Sequence, residues 1–381
     1  MSSTNPILEI ENHYGQSIWM DNLSRDIIES GELKQSIREK GIRGITSNPA
    51  IFEKAIAGNK IYDQAIEAGI RANKSVPEIY EDLIFTDIRN ACDIFMPVYE
   101  ESDGLDGYVS IEVPPDLAKD TDSTIREARR YYQTVDRPNL MIKIPGTPEG
   151  LPAVEQAISE GMSINVTLLF SVQSYVETAW AYIRGLEKRA TAGEDISKIA
   201  SVASFFLSRI DVMIDERLDG KLESAEGDAK AKLEAIKGKV AIASAKIAYQ
   251  KYKEIFAGDR WEALVAKGAK VQRLLWASTG TKNPDYSDVM YVDELVGVDT
   301  VNTLPPNTID ACVDHCDPAN RIETDLDAAH RVIDSLKDDA VDLDLDAVMD
   351  ELLEEGIDKF IKPFESLMSS LETKVKQLAT V

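Results

Sequence analysis

Eight short apolar runs, each followed by a longer stretch of helical periodicity, constrain this chain more than anything else in it. The runs fall at residues 17–21, 44–48, 108–113, 140–144, 164–169, 199–204, 273–278 and 300–304. Between them lie amphipathic segments such as 27–39 and 175–188, and a long one in which Leu233, Ile236, Val240, Ala243 and Ile247 recur at helical spacing. Strands alternating with helices build right-handed strand–helix–strand units and hence a parallel sheet, and eight such units predict an α/β chain closed into a (β/α)8 TIM barrel. A doubly wound open sheet is the competing arrangement, but no Gly-x-Gly-x-x-Gly follows the first strand, which weakens a dinucleotide fold. With 381 residues and 44% hydrophobic content, the chain can fill one large core. The expected division is a barrel over residues 1–320 and an acidic helical extension over 321–381, packed on the barrel's outside or across one mouth.

In such a barrel the carboxyl ends of the strands build the functional site. Asp21 and Asn48 are read as ending the first two strands and Glu112 as late in the third. Lys143 lies in the fourth, Asn165 and Thr167 lie in the fifth, and Ser204 is read as ending the sixth. Lys143 is the unusual member, because Asn139-Leu-Met-Ile-Lys-Ile-Pro-Gly-Thr147 otherwise reads as a buried strand. An amine withdrawn from water is disfavoured in its charged form, and the neutral amine is the nucleophile of imine chemistry. On this run alone, a lysine reaching water from a strand end, or paired with a carboxylate, is an equal reading. Together the strand ends supply one amine, two carboxylates, two amides and two hydroxyls. That set suits a lysine nucleophile with carboxylates to move protons and donors to orient a polyol.

Composition excludes several other classes. A formal charge of -25 repels nucleic acid and anionic membrane, so any phosphate ligand requires a local cationic pocket. No run approaches the ~18 apolar residues of a membrane span, and Met1-Ser-Ser-Thr-Asn-Pro-Ile-Leu8 lacks the basic-then-apolar pattern of a leader. Cys92, Cys312 and Cys316 are too few for a disulfide framework and fit a reducing, cytoplasmic setting. A zinc-polarised carbonyl is hard to build, because His13, His315 and His330 all lie away from the strand ends. Asp342-Leu-Asp-Leu-Asp346 fails as a calcium loop at Ala347 and Leu353 and reads as a helix start. Cys312, His315 and Cys316 share helical spacing but have no fourth ligand nearby, so no metal is expected there.

Five blocks carry a specific likeness: Trp19-Met-Asp-Asn-Leu-Ser-Arg25, Gly44-Ile-Thr-Ser-Asn-Pro-Ala-Ile-Phe52, Met141-Ile-Lys-Ile-Pro-Gly-Thr-Pro-Glu-Gly150, Ile164-Asn-Val-Thr-Leu-Leu-Phe-Ser171 and Trp276-Ala-Ser-Thr-Gly-Thr-Lys-Asn-Pro284. In order and over nearly the whole chain, they resemble the transaldolases of the longer bacterial and plant type. The resemblance implies a Schiff-base barrel of the pentose phosphate pathway that works without a cofactor on sugar phosphates. Such an enzyme moves a dihydroxyacetone unit from sedoheptulose 7-phosphate to glyceraldehyde 3-phosphate, giving erythrose 4-phosphate and fructose 6-phosphate.

By position, the resemblance makes Lys143 the Schiff-base lysine and Glu112 the acid/base that acts through a water positioned by Thr167. It makes Asp21 the base for the C4 hydroxyl, and Asn48, Asn165 and Ser204 contacts to the donor. Arg209 would bind phosphate, and Lys282 stands where shorter relatives place a second arginine, offering a point charge rather than a bidentate fork. A class I aldolase releasing dihydroxyacetone is the nearest alternative. A decarboxylating or dehydrating Schiff-base barrel fits the blocks poorly, and Lys143, Asp21 and Glu112 argue against an inactive binding protein. The sequence leaves a homo-oligomer open.

Overall fold

A computed structural model describes residues 5–379. Eight strands, β1 (Gln16–Asp21), β2 (Ile45–Thr46), β3 (Val109–Glu112), β4 (Leu140–Pro145), β5 (Ile164–Leu169), β6 (Ser201–Phe206), β7 (Gln272–Ala277) and β8 (Thr300–Leu304), pair in parallel in chain order. β8 returns to β1 through a register running from Gln16↔Thr300 to Met20↔Leu304, which closes the barrel. Every residue of β3 to β8 is buried, as expected where side chains fill the interior and helices cover the outside. At the amino end of the barrel Arg273 donates to Ser17 Oγ (2.8 Å) and Asp106 Oδ1 (2.9 Å), and Trp19 Nε1 donates to the same carboxylate (2.9 Å). This satisfied buried network leaves the carboxyl end free for chemistry. The first four residues, which carry part of the expectation about a leader, lie outside the described residues.

Four local expectations are corrected. β2 is two residues rather than 44–48, because Asn48 leaves the sheet to cap helix Pro49–Ile56, its Oδ1 accepting from Ile51 N–H at 3.0 Å. Asn48 therefore follows β2 rather than ending it. β6 lies two residues later than 199–204: Ala200 N–H is held by Ser163 Oγ (3.1 Å), and the apolar run continues through Phe205 and Phe206, paired with Trp276 and Ala277. Ser204 is thus inside the strand. Segment 27–39 is broken at Gly31, whose φ is +83°, into Arg25–Glu29, Glu32–Gln35 and a wider π turn, Ser36–Lys40.

The long helix expected around Leu233 to Ile247 is two, Gly227–Ile236 and Val240–Ile255. The break is made from outside the segment: on helix Ser208–Leu222, Asp215 accepts from Gly238 N–H (3.0 Å) and Asp211 from Ala241 N–H (2.9 Å). Gly238, at φ +67°, takes the left-handed turn this requires.

Two helices follow residue 320 among the described residues. Leu326–Ser335 lies along Val240–Ile255 on the barrel's flank. The terminal helix, Leu345–Ala379, has 35 residues and is roughly 50 Å long. It starts where Asp344 Oδ1 accepts from Ala347 N–H (3.2 Å), consistent with a helix start at 342–346. It then crosses the carboxyl end of the barrel, against helices Pro49–Ile56, Val76–Glu101 and Ser208–Leu222 and the end of β5. A Cβ on Gly356 would stand 3.0 Å from Leu168 Cδ2 and 3.4 Å from Phe170 Cε2, so glycine lets the helix approach this closely without those side chains shifting.

Candidate active site

The barrel register places three polar residues side by side on adjacent strands: Glu112 on β3 opposite Lys143 on β4, and Lys143 opposite Asn165 on β5. All three are buried. Lys143 Nζ donates to Ser47 O at 3.2 Å and lies 3.6 Å from Glu112 Oε2, close enough for charge attraction but beyond hydrogen-bond length. Neither Glu112 oxygen has a hydrogen-bond partner in the protein. Burial pushes its carboxyl up to about 7, against the pull of Lys143 and Arg209 toward ionisation.

Asp21 ends β1 and is partly buried at the mouth. Its Oδ1 accepts from Thr46 Oγ1 (2.7 Å), which is itself 2.7 Å from Thr303 Oγ1 on β8. Withdrawal from water raises the Asp21 pKa above the ordinary aspartate value, outweighing the opposing effects of Lys143, the Thr46 hydrogen bond, Arg209 and Lys282. Asn165 is fixed from both ends: its Nδ2 donates to Ser110 Oγ (3.1 Å) and its Oδ1 accepts from Ser204 Oγ (2.7 Å). Asn48 commits its oxygen to the helix cap, which leaves its amide nitrogen as the donor for the cavity.

Thr167 owes its position to a backbone irregularity. The β5–β6 register slips between Val166 and Leu169, and Leu168 takes φ +60°, a left-handed conformation costly for a leucine. The bulge buries Thr167 Oγ1 with no hydrogen-bond partner in the protein. A second left-handed residue, Ser278 at φ +53°, ends the path of β7, where its Oγ is 2.8 Å from Ser208 Oγ.

Arg209 lies in the first turn of Ser208–Leu222 and Lys282 in the loop after β7, so both follow strands that are neighbours in the sheet. The guanidinium stacks near Phe206 (5.2 Å to the centroid) and Phe360 of the terminal helix (5.7 Å), and its Nη1 is buried without a hydrogen-bond partner. Lys143 Nζ is also 5.7 Å from the Phe360 ring, so this residue roofs both cations.

A cavity of about 210 Å³ is lined by Asp21, Asn48, Lys143, Ser204, Arg209 and Lys282, with Phe206, Thr303 and Phe360 among the remaining walls. Glu112, Asn165 and Thr167 do not line it; they stand behind Lys143 and Ser204. Phe360, Thr46 and Ser278 were not singled out by sequence reasoning. Thr46 sits inside a quoted block, whereas Phe360 carries no local signal, reading simply as one more apolar residue of an amphipathic helix. A wider groove, about 950 Å³, lies on the flank among helices Thr121–Val135, Gly150–Ser159 and Val172–Thr191. It is open, and its cations are engaged: Arg129 pairs with Glu160, and Arg184 and Lys188 with Glu155. The convergent polar groups are at the barrel mouth.

His315 is exposed, its Nε2 2.8 Å from Asp288 Oδ1 and its Nδ1 3.0 Å from Asp314 Oδ2, while Cys312 and Cys316 are buried. The thiols and the imidazole therefore face different surroundings. His13 lies on helix Pro6–Tyr14 and His330 on Leu326–Ser335, both away from the cavity lining.

Residues 18–371 match the family model described as transaldolase/fructose-6-phosphate aldolase, a span that takes in most of the terminal helix. The chain is 72% identical over 379 residues to a transaldolase of Trichodesmium erythraeum (strain IMS101), covering 99% of this chain and 100% of that one. It is 68% identical to transaldolase 2 of Nostoc sp. (strain PCC 7120), with 99% of each chain covered. A transaldolase of Mycobacterium marinum is 45% identical over the full length of both chains.

Proposed function

Because the chain belongs to the transaldolase/fructose-6-phosphate aldolase family, we propose that it is a transaldolase acting through an imine on Lys143. It moves a dihydroxyacetone unit from sedoheptulose 7-phosphate to glyceraldehyde 3-phosphate, a step of the pentose phosphate pathway. The observation that carries this reading is the buried amine of Lys143 lying 3.6 Å from a carboxyl whose pKa is about 7. An acid/base poised near the working pH serves both carbinolamine dehydration and imine hydrolysis.

The neutral amine attacks C2 of the donor ketose, and the carbinolamine loses its hydroxyl as water, with Glu112 supplying the proton. Thr167 Oγ1 and the Glu112 oxygens, buried and unpartnered in the protein, support a water held between them as the relay. Asp21 then takes the proton of the C4 hydroxyl while the C3–C4 bond breaks, and its electron pair flows into the iminium to leave an enamine. Its raised pKa makes Asp21 a stronger base than an ordinary aspartate. The first aldose departs, the enamine carbon attacks the acceptor aldehyde, and Asp21 returns its proton to the new alkoxide. Water finally hydrolyses the imine to release the new ketose. Asn48 and Ser204 orient the donor hydroxyls, Asn165 fixes Ser204 from behind the cavity wall, and Arg209 with Lys282 holds the phosphate by charge-assisted contacts.

Holding the enamine until an aldehyde arrives requires a site shielded from water, and Phe360 over Lys143 supports that requirement. Free, buried Cys92, Cys312 and Cys316 support a reducing compartment, and we place the enzyme in the cytoplasm. The test of transfer against release is acceptor dependence. With fructose 6-phosphate as donor, turnover should require erythrose 4-phosphate; comparable release of free dihydroxyacetone without any aldehyde would instead identify an aldolase.

A further inference from the structure

The cavity around Lys143, about 210 Å³, is smaller than the roughly 300 Å³ at which small-molecule pockets begin. A seven-carbon phosphorylated ketose must therefore extend beyond it. Arg209, Ser278 and Lys282 line both this cavity and a wider cleft of about 740 Å³ between helix Ser208–Leu222 and the terminal helix. The end of the substrate distant from the reacting carbonyl has that cleft to occupy.

On the terminal-helix wall, Glu355, Lys359 and Lys362 follow one another at intervals of four and three, which places them on one helix face. Lys359 donates to Glu355 Oε2 at 2.6 Å and is already paired. Lys362 has no ion pair or hydrogen bond among the described residues, and neither does the Lys282 ammonium; Arg209 has no ion pair and a buried, unpartnered Nη1. Three cations thus line one cleft without a bound carboxylate, in a chain of 67 acidic and 42 basic residues. The acids along the same cleft, Glu216, Glu355 and Asp358, make no ion pair with the three, although Glu355, with Asp21 and Glu112, acts on Arg209 at longer range. With Lys359, the cleft is lined by four cations and three carboxylates, a small positive excess in a strongly acidic chain that an anionic ligand would complement.

We propose that Lys362 is a third cation of the phosphate pocket, so that the terminal helix forms a wall of the substrate site and contributes to the preference for phosphorylated sugars. This rests on the transaldolase reading above.

The experiment compares Lys362→Ala, Lys362→Arg and Arg209→Ala with the unaltered protein. It measures the ratio of kcat/KM for fructose 6-phosphate to that for fructose, and inorganic phosphate binding by calorimetry. Lys362→Ala should lower the ratio about three- to tenfold, as expected of a partly solvated ammonium, and weaken phosphate binding by a similar factor. Lys362→Arg should keep the ratio within about twofold, because the charge is retained. If Arg209→Ala lowers the ratio and Lys362→Ala does not, the proposal for the terminal helix is overturned while the transaldolase reading stands. Equal losses for both sugars in Lys362→Ala, not rescued by arginine, would mean a structural role and would likewise overturn it. If the unaltered protein forms no borohydride-reducible adduct with either sugar, the reading beneath the proposal fails as well.

Discussion

Replacing Glu112 by glutamine should shift stability in the variant's favour as pH rises while impairing its chemistry. In the folded state burial holds the Glu112 carboxyl near pKa 7, above the usual 4.5. A raised carboxyl favours folding in its protonated form: its contribution is fully present below the unfolded pKa and is lost as pH rises through the folded one. With those two values the wild-type protein has lost about 1 kcal/mol of this contribution at pH 5 and about 3 kcal/mol at pH 8. A neutral glutamine has no such dependence. The gap between Glu112→Gln and wild type should therefore shift by about 2 kcal/mol in the variant's favour between pH 5 and pH 8. Urea unfolding of both proteins at the two pH values measures that shift, which does not depend on the packing cost of the amide, since that cost is common to both conditions. Parallel pH dependence in the two proteins would show that Glu112 is ionised across the range, and the argument for a carboxyl poised near neutrality would fall.

Two further substitutions separate the roles at the mouth. Asp21→Asn should still form an imine with the donor ketose but fail to cleave it, because only the C4 proton transfer is removed; loss of borohydride trapping along with turnover would defeat this division between Asp21 and Glu112. Arg209→Ala removes a charge-assisted phosphate contact of about 1.5 to 3 kcal/mol, so apparent affinity for phosphorylated donors should fall roughly ten- to hundredfold, and an equal fall for unphosphorylated fructose would assign Arg209 to structure alone.

What was legible in the sequence depended on whether its cause was local. β5 and β8 keep the bounds read from their apolar runs, because turn residues close them on both sides. β2 was overread because Asn48 and Pro49 belong to a helix cap, a local signal that the preceding strand pattern masked. The break between Gly227–Ile236 and Val240–Ile255 was hidden for a different reason, since Asp211 and Asp215 impose it from another helix. The polar residues at the mouth were legible because strand alternation and barrel closure suffice to bring them to one end. Their arrangement in depth was not: the bulge at Leu168 buries Thr167, and Asn165 is clamped by Ser110 and Ser204 only once the four strands β3 to β6 are paired. Phe360 and Lys362 lie some two hundred residues from Lys143, on a helix whose apolar stripe would pack equally well on the barrel's outside. Its packing against helices Pro49–Ile56, Val76–Glu101 and Ser208–Leu222, together with the close approach at Gly356, brings that helix over the mouth.

The most direct test of the central claim is the identity of the lysine that becomes covalently linked to the donor. Incubation with fructose 6-phosphate and borohydride, followed by peptide mass analysis, should place a reduced three-carbon adduct on the peptide carrying Lys143, and Lys143→Ala should lose both the adduct and turnover while remaining folded. An adduct on any other lysine, or turnover that persists in Lys143→Ala, would contradict the assignment.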